Sequence, residues 1–527
     1  MRGLIADRRG IYTFLVIALF VSAACGSTVQ APQQANQITG DELGGDLSAD
    51  GALPPGATVN KKGQVVSASG EVLGSAEDFG LAAPDSASGD SDTTGGGTDG
   101  SGGNDPNSST STSALGPGVT DDKIYLGIVY IDAGSANQAL AGQPIESDGR
   151  KAYDAMIEEV NKAGGLGGRQ VVPIYHKYDA DSSETIAQQA QAACARFTQD
   201  NKVYAILASD NGAGVIRECA EKAGAVNPIA YNAGSLPEDF RNYPHYVEIT
   251  GMNLLRIGPV TVTGLKREGY FSQGFKLGIV TWNDAGYKKS VDEGYIPALA
   301  KQGIKLSTDP AYISQPQTYD DLAAMSADIN NAILRFQSQG ITHVIIAGGA
   351  SGLCGLACME TVWMRRAESQ SYRPRYGLND NNYPTAAYDQ GLYPAAQLRE
   401  AVAVGWTDLN KASDEGWRVN QTRERCFALM RKHGVPMENA NQENDARQAC
   451  DELSFLGTII NGKLNGVPRV NDAFIAAVNG LGTSFASAAA YGTHFSATRH
   501  DGIAAARNIK FLASCDCWRF VTKPYRV

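Results

Sequence analysis

Apolar residues along this chain fall into two regimes that meet near residue 118. Before it lies one unbroken apolar run, 11–24 (IYTFLVIALFVSAA), and then a long stretch almost without aromatic residues. After it, short apolar runs alternate with segments whose apolar positions repeat at helical spacing. Continuous apolar runs bounded by helical segments are the mark of parallel strands covered on both faces.

The run 124–131 (IYLGIVYI) predicts the first such strand. A helix is predicted over 148–163, with Ala152, Ala155, Met156 and Val160 on one side and Gly164-Gly165 as its stop. Strands follow at 170–178, at 203–208 (VYAILA) and near Ile229. Between them, Ser182 or Ser183 can cap a helix carrying Ile186, Ala190 and Ala193, and a second helix runs through Val215 and Cys219. The rhythm restarts after an extended crossing at Val247-Glu248-Ile249. A helix through Leu254 and Leu265 leads to strand 275–281 (FKLGIVT), and a long helix has Leu322, Met325, Ile329, Ile333 and Phe336 on one face. Strand 342–347 (THVIIA) and a short strand at Tyr376-Gly377-Leu378 come next. A second crossing is expected at 401–405 (AVAVG), then a mainly helical return to residue 499 and a last strand over 511–520. The βαβ rhythm implies parallel sheets with right-handed crossovers, an α/β fold.

The N-terminal region changes the picture of where the protein works. Arg2, Arg8 and Arg9 precede the apolar run, which is too short for a comfortable span and has the charge layout of a signal peptide, 1–24. Ser22-Ala23-Ala24-Cys25-Gly26 resembles the lipobox of bacterial lipoproteins, with Ser22 where a Leu usually stands. That resemblance implies acylation of Cys25; an ordinary secretory signal with an incidental cysteine is the alternative, and both export the chain. The Gly/Ser/Asp/Thr-rich stretch 25–117 is too poor in apolar residues to offset its ordering entropy, so it reads as a disordered linker. Its r.m.s. span would be on the order of 50 Å.

The net charge of −11 argues against nucleic acid or a polybasic membrane contact as the partner. Eight cysteines fall beyond the linker, an even number that suggests disulfides in an exported protein. Cys194 and Cys219 lie on helices flanking the third strand and should pair, as should Cys426 and Cys450 within one helical segment. Cys354 and Cys358 share a helix face, and Cys515 and Cys517 share a strand face. Cross-pairing between these two sets and two local bridges both remain open. Scattered histidines and the lack of paired CxxC motifs leave no metal and no cofactor to expect. The catalytic motifs GxSxG, HExxH and GxxxxGK[ST] are missing, so the chain does not read as an enzyme.

The order of parts, together with GVTDDKIYLGIVY and DAMIEEVNKAGGLGGRQVVPIYHKYDAD, resembles the type I periplasmic binding proteins of ABC transporters, in particular the branched-chain amino acid (Leu/Ile/Val) group. Asn161, Gly164, Gly165, Gly168, Arg169, Asp179 and Asp181 fit that family's turn and Asp-rich loop. The resemblance implies two Rossmann-like lobes with parallel sheets, joined by three hinge strands. Lobe one would comprise 118–249 and 406–505, lobe two 250–405 and 506–527. It implies ligand contacts at Ser209 and at Gly234 and Ser235 from lobe one. From lobe two it implies Tyr287 and, for a ligand ammonium, Asp380; Trp282, which precedes Tyr287, reads either as an apolar or stacking wall of the site or as a core residue. Several of these are also ordinary caps, turn formers or core residues. Asp210 beside Ser209, and Lys288 where the family has glycine, depart from the pattern. The implied role is capture of a small polar ligand, such as an amino acid or amide, and delivery to an ABC permease by a monomer tied to the membrane through its lipid. A sensing receptor of the same fold is the alternative, and an extracellular hydrolase a distant one.

Overall fold

A computed structural model describes residues 115–132, 149–179, 182–208, 214–230, 234–349, 358–407, 420–470 and 472–527, plus three short strands nearer the N-terminus. Residues 1–105 and 106–527 form separate compact units. In the first, Thr58–Val59, Gln64–Val66 and Val72–Ser75 pair in an antiparallel sheet. This small sheet was not expected within the stretch 25–117; its β-branched valines supply local strand propensity inside a polar background. Cys25 and the leader lie outside the described residues.

The larger unit begins with β1 (Lys123–Asp132), which pairs in parallel with β2 (Gln170–Asp179) and β3 (Ala205–Leu207). Ala205 also bridges Val226, leading to β4 (Asn227–Ile229), which pairs in parallel with β5 (Tyr246–Glu248). The connecting helices are α1 (Gly149–Lys162), α2 (Ile186–Ala195) and α3 (Val215–Ala223). The cap of α2 is Thr185 rather than Ser182 or Ser183. Its hydroxyl accepts from Gln188 N at 3.2 Å while the Gln188 side chain accepts from Thr185 N at 2.8 Å, a reciprocal capping box.

The chain then passes through α4 (Leu254–Arg267) into a second sheet. Its strands are β6 (Leu277–Trp282), β7 (Ala311–Ile313), β8 (His343–Ile346), β9 (Arg375–Asn379), β10 (Val402–Gly405), β11 (Ala505–Leu512) and β12 (Cys517–Phe520). They lie in the order β7-β6-β8-β9-β10-β11-β12, parallel as far as β10 and antiparallel thereafter. Residues 401–405 are extended as expected, with β10 hydrogen-bonded on both sides within the sheet. One expectation is corrected here: residues 511–520 are not one strand. Cys515 and Cys517 bond to each other, and Asp516 between them has φ 45°, so the chain turns back there and pairs β12 with β11. Cross-pairing with Cys358 is thereby removed; Cys358 is disulfide-bonded, and Cys354 lies outside the described residues.

The return segment contributes α7 (Gln421–Lys432) and α8 (Ala440–Gly457), the latter packed against α1. The long helices of the second sheet are α5 (Leu322–Ser338) and α6 (Cys358–Ser369). Separate apolar cores result. One gathers Ile257, Ile279, Ile329, Phe336, Trp363 and Trp406 around the second sheet. Two others lie about the first sheet, one with Ile128, Met430, Leu453 and Phe455, the other with Phe197, Ile206 and Ile216. Two lobes therefore share one chain. Glu248 at the end of β5 runs beside the late segment, its N donating to His500 O at 3.0 Å while Gly502 N donates to Glu248 O at 2.7 Å. The expected bridges Cys194–Cys219 and Cys426–Cys450 are both formed.

Candidate ligand-binding cleft

In open parallel sheets the carboxyl ends of the strands are where loops can converge on a ligand. In the second lobe three such ends meet. Trp282 closes β6, and its Nε1 donates to the Gly349 carbonyl at 2.9 Å, tying β6 to the loop after β8. A Cβ on Gly349 would lie 3.1 Å from Asn381 Cβ and 3.4 Å from the Tyr287 hydroxyl, so glycine is what allows the three loops to close together. Tyr287 is buried. Burial, then the nearby Glu360 carboxyl, pushes its pKa up, so the ring presents a neutral hydroxyl.

Asp380 follows β9 in a buried turn whose Asn379 side chain caps it. One carboxylate oxygen of Asp380 accepts from Trp406 N at 3.2 Å, Thr407 N at 2.8 Å and Thr407 Oγ1 at 2.7 Å. The strand end is thus bound to the segment by which the chain leaves the second lobe. Trp282 is fully buried in the second-lobe core, where it supports a loop.

From the first lobe, Gly234 is half-buried with φ 118° and Ser235 is fully buried. The Ser235 hydroxyl lies near the Glu248 carboxyl, which accepts from Tyr246 Oη at 2.5 Å. Burial outweighs both contacts and pushes Glu248 up to about 8. Ser209 lies outside the described residues. The two lobes touch at the cleft: a Cβ on Gly286 would lie 3.9 Å from Gly234 O, and Lys289 Nζ pairs with Glu238 Oε1 at 2.5 Å.

A cavity opens between these surfaces beside the crossings. The first lobe lends Ala230, the crossing after β5 Thr250, the second lobe Asp380, Asn381 and Tyr383, and the departing segment Trp406 and Thr407. Its remaining wall is α8, through Asn444, Arg447, Gln448 and Asp451, with Ala489 alongside. Of the residues expected from sequence, Asp380 lines this cavity. Tyr287 stands one contact away through Gly349 and Asn381, whereas Gly234 and Ser235 sit at the neighbouring loop.

The contribution of α8 was not anticipated. Asn444, Gln448 and Asp451 recur at helical spacing and so share one face. Cys426–Cys450 fastens that helix to α7, and Asn439 caps it by accepting from Asn441 N and Gln442 N, both at 3.0 Å. Asp451 holds the loop beyond: its oxygens accept from Ser487 Oγ at 2.7 Å, Ala488 N at 2.6 Å and Ala489 N at 3.2 Å. Burial still pushes its carboxyl up to about 6. Glu452 behind it accepts from Tyr153 Oη at 2.5 Å and from Ala230 N at 2.8 Å, and burial raises it to about 7. With a guanidinium, carboxylates and side-chain amides in its wall, the cavity offers polar contacts to a small molecule.

The same architecture recurs among solved structures. A branched-chain amino acid ABC transporter protein from Thermus thermophilus, with bound valine, superposes with a TM-score of 0.55 at 14% identity, covering 78% of this chain and 98% of that one. A type 1 periplasmic binding protein from Bordetella pertussis Tohama I gives 0.55 at 16% identity, over 77% of this chain and 100% of the other. This chain has the type I periplasmic binding protein fold. A fatty acid ABC transporter substrate-binding protein from Thermomonospora curvata shares that fold with a TM-score of 0.54 at 16% identity, covering 78% of this chain and 95% of that one. No protein-family model matches the sequence, and no curated protein does.

Proposed function

We propose that this chain is an extracytoplasmic solute-binding lipoprotein, not an enzyme. It captures a small polar ligand, an amino acid, amide or similar molecule, between its lobes and delivers it to an ABC permease. The observation that carries this reading is the polar cavity walled by both lobes at their crossings. Further support comes from the fold, shared with proteins described as ABC transporter substrate-binding proteins, one of them complexed with Leu. In this reading lobe one is 118–249 with 406–505, and lobe two is 250–405 with 506–527. Ser209, Gly234 and Ser235 face the ligand from one side, Tyr287 and Asp380 from the other, and Trp282 backs the wall. Val247-Glu248-Ile249 and the segment after Gly405 bend as the lobes close. Acylated Cys25 anchors a monomer, and 25–117 is the linker.

A thermal-shift screen of the full chain over amino acids, amides, urea and small acids tests the core of this. Ligand at 100 times its dissociation constant adds about 2.7 kcal/mol. Small-angle scattering should show compaction with the same ligand. Full affinity in both Tyr287→Ala and Ser209→Ala would place the site elsewhere. Cys25→Ala should move the protein from membranes to the soluble fraction.

A further inference from the structure

The hairpin that ends the second lobe carries a bridge unlike those of the first. Cys515 and Cys517 have Asp516 alone between them, whereas the partners in Cys194–Cys219 and Cys426–Cys450 stand 25 and 24 residues apart. Cys219, Cys426 and Cys450 are buried, but Cys515 is exposed and Cys517 half-buried, at the end of a turn whose residues 513–516 all face solvent. A ring closed over so few residues removes little entropy from the unfolded chain, so stability gives this bridge the weakest reason to exist.

Nor does the hairpin depend on it for shape. β11 and β12 pair in unbroken register from Ile509↔Phe520 to Leu512↔Cys517. Within the turn, Cys515 N donates to Leu512 O at 3.3 Å. The Phe511 ring meets Trp518 edge-on with centroids 5.5 Å apart, and meets Tyr388 at 5.0 Å. Tyr388, on the short helix Pro384–Asp389, donates its hydroxyl to the Asp516 carbonyl at 2.8 Å. Asp516 has φ 45°, a left-handed conformation that Asp tolerates better than most residues. Opening the bridge therefore leaves both sulfurs on a turn held by other contacts, ready to close again. Exchange requires that a thiolate reach a sulfur, and exposed bridges are the labile ones.

We propose that Cys515–Cys517 is a reversible thiol–disulfide exchange site for thiol reductants in solution, a chemistry separate from solute capture. A thiolate attacks Sγ of Cys515, the more exposed sulfur, and forms a mixed disulfide with it. The bond to Cys517 breaks, its electron pair leaves on Cys517 Sγ, and that sulfur takes a proton from water. A second thiolate attacks the reductant's sulfur in the mixed disulfide and releases Cys515 as a thiolate, which is protonated in turn. Two thiols are oxidised to one disulfide, and the protein gains two electrons and two protons.

The test equilibrates the full chain with stepped mixtures of reduced and oxidised glutathione, blocks free thiols with iodoacetamide and reads each cysteine by peptide mass. Cys515–Cys517 should open at a ratio of squared reduced to oxidised glutathione at least about tenfold below that needed by Cys194–Cys219 or Cys426–Cys450. The melting transition should stay cooperative, and oxidised glutathione should close the bridge again. In Cys517→Ser, Cys515 should take up glutathione from oxidised glutathione faster than Cys517 does in Cys515→Ser. The proposal is overturned if the three bridges open together, if Cys515–Cys517 opens only as the chain unfolds, or if both its cysteines stay free in oxidised glutathione. Should either serine variant fail to fold, the unmodified chain decides the matter by itself.

Discussion

One strand in each lobe, β1 and β6, carries the same four residues, Leu126-Gly127-Ile128-Val129 and Leu277-Gly278-Ile279-Val280. In each, a phenylalanine from a following helix lies on the glycine. A Cβ on Gly127 would come within 2.7 Å of Phe197, and one on Gly278 within 2.6 Å of Phe336. What surrounds that shared device differs. Phe336 belongs to one large core that covers the second sheet, whereas Phe197 sits in a smaller cluster separated from the other core of its own sheet. The first lobe is also assembled from distant pieces of chain, and disulfides span its helices: Cys194–Cys219 joins α2 to α3, and Cys426–Cys450 joins α7 to α8. In the second lobe the bridge Cys515–Cys517 is confined to one turn. A divided core crossed by two inter-helix disulfides and one continuous core around the second sheet are two ways of fixing the same strand–helix packing.

The severest way to probe the contrast is to empty the two phenylalanine sites. Phe197→Ala and Phe336→Ala should each cost about 3–5 kcal/mol, read from urea unfolding. If the first lobe is the more loosely coupled, Phe197→Ala should split the transition and Phe336→Ala should shift it whole; matching curves would erase the distinction. Replacing Cys426 and Cys450 together by Ala should cost about 3 kcal/mol, and replacing Cys515 and Cys517 less than about 2 kcal/mol, because the smaller ring removes less chain entropy. Equal losses would remove the special dependence of the first lobe on its bridges. Gly127→Ala and Gly278→Ala should each cost about 1–3 kcal/mol by overpacking against the rings.

The gentlest probe is pH. Burial raises Glu248 to about 8, Glu452 to about 7 and Asp451 to about 6 in the first lobe, and Glu360 to about 7 in the second. Each folded-state value lies above the ordinary carboxylate value, so within the gap the folded chain keeps a proton that the unfolded chain has released. Stability is therefore greatest below the ordinary value and declines as pH rises through the interval up to about 8. One such group contributes a slope of at most about 1.4 kcal/mol per pH unit. Melting temperature should fall from pH 5 to pH 8. Glu248→Gln should flatten the profile of the first lobe, and a profile that rises over this range would contradict the burial argument.

Much of the architecture was legible because strands covered on both faces must be apolar throughout. Runs such as IYLGIVYI and THVIIA can hardly be anything else in a chain of this rhythm, and the third strand with its flanking helices already brought Cys194 near Cys219. The C-terminal hairpin was hidden by its own sidedness: Phe511 and Trp518 both read as strand, and only the bonding of Cys515 to Cys517 shows where the chain reverses. The wall provided by α8 was hidden for a different reason. Asn444, Arg447, Gln448 and Asp451 carry the polarity of a solvated helix face, and periodicity cannot distinguish water from a polar cavity. The available clue was the other side of that helix, where Ala446, Ala449, Cys450 and Leu453 are all apolar and all buried. A helix anchored so deeply leaves its polar face close to another part of the protein. Asp380 was legible as a turn residue, but its three bonds to Trp406 and Thr407 depend on a segment that sequence alone does not place.

The pair between Glu238 and Lys289 bears on how the two lobes are held against each other. These side chains are 31% and 33% exposed, on short helices, Pro237–Asn242 and Ala285–Lys289, that belong to opposite lobes. Their attraction reaches through partly aqueous space, where mobile ions at 0.15 M screen charges over about 8 Å. Dissolved salt competes for both ends of this tie, whereas the apolar cores behind it are indifferent to such competition. Contact between the lobes at this pair is thereby coupled to the ionic strength of the surrounding solution.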